Sequence, residues 1–149
     1  MTHQPADAFT SIMDTATVGL VQARAYRTLN REFGAYLQEY NLSLSEWAVL
    51  GQLTDGTILS QVEIAEILDV TPAMATKLSA GLEAQGYAER CETGPDSRVK
   101  QIGITAHGQA LVNKVEPVLR GRMVELVAGI SRADLLAYIR VITALSIRK

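Results

Sequence analysis

The chain has one cysteine, Cys91, so no disulfide can form within it, and such sparse use fits a reducing compartment. Its two histidines, His3 and His107, are not at ligand spacing with each other or with Cys91; no metal and no cofactor is expected. No apolar run approaches the roughly 18 residues of a membrane span. The opening MTHQPADAFTS lacks the basic and apolar regions of a signal peptide, so the expected location is the cytoplasm. There is no Ser-His-Asp set, glycine-rich phosphate loop or facing carboxylate pair, which argues against an enzyme. Basic residues are missing from a long central stretch: none lies between Arg31 and Lys77, where seven acidic residues stand.

The 149 residues, 48% of them hydrophobic, suit one globular domain with an ordinary core. A net charge of −2 argues weakly against a nucleic-acid partner. The distribution is uneven, however, with seven basic residues against three acidic ones after Leu111. A local basic surface is compatible with that balance.

Residues from about Ala8 to Tyr40 read as one long helix, with Val18, Val21, Ala25, Leu29, Phe33, Leu37 and Tyr40 forming an apolar stripe. Asn41 ends it. In LSLSEW, Ser43 and Glu46 make a capping box and Leu42 with Trp47 the hydrophobic staple. This second helix is expected to run to about Thr54, burying Trp47, Leu50 and Leu53, with Gly56 closing it. LSQVEI repeats the device with Ser60 and Glu63, and Leu59 with Ile64. The helix it opens ends near Leu68, and DVTP leads into TPAMATKLSAGLEAQGYAER. There Thr71 is a cap, Pro72 a first-turn residue and Gly86 a stop. Two helices so closely joined are a helix-turn-helix candidate, or an ordinary helical corner.

YAERCETGPDSRVKQIGIT has no helical stripe. Gly94, Pro95, Asp96 and Ser97 are turn formers between two expected strands, Tyr87–Glu92 and Arg98–Ile104. A hairpin directly after a helix-turn-helix is the winged-helix order. Thr105 then caps a helix through about Ala128, with Leu111, Val115, Val118, Leu119 and Leu126 inward and a bend expected at Pro117. Gly129 breaks it. Ser131 and Asp134 resemble a third capping box, opening a last helix with Leu135, Ile139, Ile142 and Leu145 buried.

The ordered set LSLSEWAVLGQL, LSQVEIAEILDVTPAMATKLSAGLEAQGYAER, PDSR and IGITAHG resembles the MarR (multiple antibiotic resistance regulator) family over residues 42–110. The resemblance implies a mainly α fold with a small β-hairpin: a winged helix-turn-helix with long N- and C-terminal dimerisation helices. One domain spans 1–149, with the DNA-binding part at 42–105 and dimerisation helices at about 8–40 and 106–149. The function implied is a homodimeric, sequence-specific transcriptional regulator, expected to be a ligand-responsive repressor. Its partners would be an inverted-repeat double-stranded operator, a second copy of itself and a small aromatic or amphipathic effector, with no membrane.

The helix after Thr71 begins with small side chains and no acid. That suits a recognition helix entering the major groove, about 12 Å wide, without repelling phosphates; tight packing alone is the plainer explanation. Ala75, Leu78 and Leu82 share its core face. Ala73, Thr76 and Lys77 lie away from it, and Met74 either packs on Leu78 or meets a thymine methyl. Ser60 and Gln61, opening the preceding helix, could hold phosphates on free amides, although Ser60 is also simply a cap. On resemblance, Arg98 reaches into a narrow minor groove while Asp96 shapes the wing; otherwise they are a solvated pair worth under about 1 kcal/mol. Lys100 departs from the family pattern and is expected to share a strand face with Ile102 and Ile104. The DNA-binding candidates are therefore Ser60, Gln61, Thr71, Ala73, Met74, Thr76, Lys77, Asp96, Arg98 and Lys100, and the dimer candidates Leu135, Ile139 and Ile142. Cys91 reads as an inert residue at the wing base, and Tyr26, Tyr36, Tyr40 and Trp47 as core more than pocket lining. Residues 71–105 carry no net charge, which keeps open an alternative: a winged-helix interaction module that does not bind DNA.

Overall fold

The computed structural model describes residues 15–92 and 99–147. Two compact units form, Met1–Asn113 and Lys114–Lys149. The first begins with α1 (Thr15–Leu37), which tightens into a 3-10 turn at Gln38–Tyr40 before Asn41 takes a left-handed conformation (φ 54°). Leu42 and Leu37 are fully buried where the chain turns back.

Helix α2 (Leu44–Gln52) starts as the sequence indicates: the Ser43 hydroxyl accepts from the Glu46 N–H, and the Glu46 carboxylate accepts from the Ser43 N–H. Its core face differs from the expectation. Val49, Leu50 and Leu53 are buried, whereas Trp47 is only half-buried. Trp47 sits in the first turn, where a staple residue covers the helix entry and need not reach the centre.

After a 3-10 turn at Thr54–Gly56 come β1 (Leu59–Ser60), α3 (Gln61–Leu68) and α4 (Pro72–Ala84). The Ser60–Glu63 box is present in both directions, at 3.2 and 2.7 Å. Asp69, left-handed at φ 51°, closes α3. Thr71 caps α4 by accepting from the Met74 N–H. At the far end Gly86 has φ 75°. Its N–H donates to the Glu83 carbonyl and that of Tyr87 to Leu82, the paired bonds of a glycine-terminated helix. Ile64 and Ala65 of α3 and Ala75, Leu78 and Leu82 of α4 are buried.

Strands β2 (Ala88–Cys91) and β3 (Gln101–Ile104) pair antiparallel, Ala88 opposite Ile104 and Arg90 opposite Ile102. Both are shorter than the sequence suggests. A third strand was not anticipated: β1 adds to the other edge of β3, Leu59 opposite Ile102, giving the order β1-β3-β2. Two residues carry no period-2 pattern, so only pairing reveals them as a strand. The fold is thus mainly helical with a three-stranded sheet.

Helix α5 (Ala106–Leu126) runs on through Pro117, and α6 (Arg132–Ser146) follows Gly129 at φ 86°. Leu111, Val115 and Leu119 are buried, but Val118 and Leu126 are exposed. Ser131 caps α6 only halfway: its hydroxyl accepts from the Asp134 N–H and donates to the Asp134 carboxylate. Aspartate is one methylene short of the reach a full box needs. Within the single chain no residue of α6 is buried: Leu135 and Ile142 are half-buried, Ile139 and Leu145 more than half exposed.

Candidate nucleic-acid interface

Helix α4 separates its two faces cleanly. Ala75, Leu78, Ser79 and Leu82 point inward, while Thr71, Ala73, Met74, Thr76 and Lys77 are exposed. Met74, ambiguous in sequence, is 43% exposed, so its thioether is available to a partner. The first turn holds no acidic residue, which leaves the positive end of the helix dipole unneutralised. Thr76 donates its hydroxyl to the Pro72 carbonyl at 3.0 Å. The bond fixes the rotamer and leaves the oxygen lone pairs and methyl group turned to solvent.

Behind α4, Ser60 and Gln61 are half-buried at the start of α3. A groove of about 300 Å³ runs between them, Val62, Val99 and Lys100. Lys100 is exposed but precedes β3 rather than sharing a strand face with Ile102 and Ile104. Asp96 and Arg98 lie outside the described residues. Glu63 is held below the ordinary carboxylate range by the Ser60 backbone N–H first and the Ser60 hydroxyl second.

The helix and the sheet are tied together at the far end of α4. The Thr105 hydroxyl donates to the Gly86 carbonyl at 2.6 Å and accepts from the Gly108 N–H, capping α5. A Cβ on Gly108 would overlap the Tyr87 carbonyl oxygen. The Ile-Thr-x-x-Gly sequence is therefore a packing device: a hydroxyl and a missing side chain let α5 lie against the exit of α4. Gln85 Nε2 donates to the Asn41 carbonyl at 3.0 Å, and Tyr87 Oη to that of Tyr40 at 3.4 Å. Neither link is readable from sequence, since each joins residues more than 40 apart.

The aromatic residues divide. Tyr36 and Tyr40 pack edge to face at 5.6 Å and are half-buried, whereas Tyr26 is 60% exposed. A cleft of about 430 Å³ lies elsewhere on the first unit, lined by Asn30, Arg31, Gly34, Gln38, Leu42 and Ser43 among others. Among the described residues no group of histidine, cysteine and carboxylate side chains could hold a metal, and no helix is long and apolar enough to cross a membrane.

The MarR family model matches residues 40–99, from the 3-10 turn into the wing. The HTH-type transcriptional repressor Rv2887 of Mycobacterium tuberculosis is 28% identical over 120 residues, covering 80% of this chain and 86% of that one. The chain is similar to the MarR family. Solved structures carry the same fold. BpsR of Bordetella bronchiseptica, described with regulation of its DNA binding by 6-hydroxynicotinic acid, superposes with a TM-score of 0.78 at 21% identity, over 89% of this chain and 94% of its own. NadR in complex with 4-hydroxyphenylacetate gives 0.75 at 20% identity over the full length of both. That similarity makes the chain a DNA-binding transcriptional regulator of the MarR type and not an enzyme.

Proposed function

We propose that this MarR family regulator acts in the cytoplasm as a homodimeric repressor that reads an inverted-repeat operator and releases it on binding a small aromatic acid. The observation carrying the DNA contact is the exposed, acid-free start of α4, with Thr71, Ala73, Met74, Thr76 and Lys77 all turned outward. Thr76 and Met74 meet base edges in the major groove, and Lys77 a phosphate. Ser60, Gln61 and Lys100 line the groove behind them and hold the backbone, while Arg98, shaped by Asp96, enters the minor groove. Dimer formation is supported by the apolar side chains α6 leaves in solvent: Leu136, Tyr138, Ile139, Val141 and Leu145 are each about half exposed. In the dimer, Leu135, Ile139 and Ile142 pack against the second copy. The cleft beside Arg31 supports the effector: its volume suits a small ligand, and the guanidinium suits a carboxylate.

Titration of fluorescent duplexes at several salt concentrations tests the DNA contact. Lys77→Ala should weaken all sequences alike and lower the salt slope by about one. Thr76→Ala should relax sequence preference by about 1–3 kcal/mol, and Arg98→Ala should lose most where the flanking groove is narrow and A·T-rich. Three variants that bind as wild type would remove α4 and the wing from the DNA surface.

A further inference from the structure

Ser79 is the one buried polar residue among those described, 1% exposed on the core face of α4. Its hydroxyl lies 2.9 Å from the Ala75 carbonyl, one turn back in its own helix, and 3.1 Å from Oε1 of Gln61, the first residue of α3. The single hydroxyl hydrogen is shared between these two acceptors, and the Ala75 carbonyl alone would satisfy it, as is common for serine inside a helix. Gln61 is therefore not needed to rescue a buried donor. What it adds is a directional link between the two helices of the helix-turn-helix.

Direction is what the rest of this contact lacks. Ile64, Ala65, Ala75, Leu78 and Leu82 bury apolar surface, and apolar burial holds helices together without fixing rotation about their axes. A hydrogen bond weakens steeply once length or angle departs from its narrow optimum. A helix with side chains is about 10–12 Å across, so a turn of about 20° moves an outer side chain by about 2 Å. That is enough to break a base-edge contact from Thr76, three residues before Ser79.

We infer that Gln61 is a positioning residue: by holding Ser79 it fixes the rotation of α4, and thereby sets sequence discrimination rather than overall affinity for DNA. The inference rests on α4 being the reading helix. The test uses the full-length protein, the duplex it selects from a randomised pool and a shuffled duplex of equal length. Gln61→Met and Ser79→Ala should each weaken the selected duplex about ten-fold. For Ser79→Ala, whose buried residue touches no DNA, binding of the shuffled duplex and its salt slope should stay within about twofold of wild type. The double variant should lose no more than either single one, because both act through one bond. Melting temperatures should stay near wild type, since the Ser79–Ala75 bond survives in Gln61→Met and nothing is left unpaired in α4 by Ser79→Ala.

Thr76→Ala in the same titration separates the two levels. If it loses discrimination while Gln61→Met and Ser79→Ala keep it, the positioning role is overturned and α4 still reads DNA. If Thr76→Ala also keeps discrimination, α4 is not the reading helix. Equal weakening of both duplexes by Gln61→Met, with Ser79→Ala unchanged, overturns positioning in favour of a direct backbone contact. An affinity loss matched by a fall in melting temperature overturns it in favour of a purely structural bond.

Discussion

Gly108 shows how much one missing side chain can decide. The space where its Cβ would stand is occupied by the Tyr87 carbonyl oxygen and, at 2.9 Å, by Cγ1 of Ile104. Backbone cannot yield as a flexible side chain can, so Gly108→Ala should cost about 1–3 kcal/mol through overpacking. Gly51, inside α2 with nothing within 4 Å of its missing Cβ, is the control: Gly51→Ala should gain about 0.5–1 kcal/mol by restricting the unfolded chain. Urea titration of both variants checks the opposite signs at unchanged slope. In the sequence, Gly108 is visible only as a member of a family pattern. The reason for it is tertiary, because Tyr87 lies 21 positions away. Ser79 leaves a clearer local trace, as a polar residue at core spacing between Ala75 and Leu82, whose burial the Ala75 carbonyl one turn back makes possible.

At the scale of elements, caps were the most legible feature, because a capping box is complete within four residues. Ser43–Glu46 and Ser60–Glu63 both form as the sequence indicates. Ser60→Ala should cost about 1 kcal/mol, read as a lowered urea midpoint. Acid dependence follows from the depressed pKa of Glu63. A carboxylate held below its unfolded value stabilises fully above that value, about 4.3 for glutamate, and loses the contribution as pH falls through the folded pKa. Glu63→Gln keeps an acceptor but no charge. Its stability deficit against wild type should therefore narrow below about pH 4.3, measured by thermal melts from pH 6 to pH 3. An unchanged deficit would mean the carboxylate charge contributes nothing to the cap. Where the sequence misjudged an element the cause was again reach or pairing: Asp134 is too short for a reciprocal box, and β1 exists only because β3 lies beside it.

Across the whole molecule, the exposed apolar faces carry the prediction. Half-exposed leucine, isoleucine and tyrosine in number mark an interaction surface. Ile139, 54% exposed, is proposed to meet a second copy, and Ile139→Glu would bury an unpaired charge there. Sedimentation should find wild type dimeric at micromolar concentration and the variant dissociated or unfolded; a stable wild-type monomer would defeat the proposal. For the cleft beside Arg31, hydroxylated aromatic acids should raise the melting temperature and weaken DNA binding together, since a ligand shifts an equilibrium only through differential affinity. Arg31→Ala should diminish both effects if the guanidinium holds the carboxylate.

The sequence by itself determined the helices, their caps, the core face of α4 and the order that marks a winged helix-turn-helix. Those features rest on periodicity and on bonds spanning three or four residues, so a linear reading contains them. Tertiary structure alone decided that β1 joins the sheet, that Gln61 reaches Ser79, that Gln85 and Tyr87 tie α4 to the Asn41 corner, and that Gly108 must lack a side chain. It also decided that the apolar stripe of α6, which periodicity could only call buried, stays in solvent within one chain. Periodicity records that a face is apolar, but what covers that face depends on surfaces distant in sequence or belonging to another molecule.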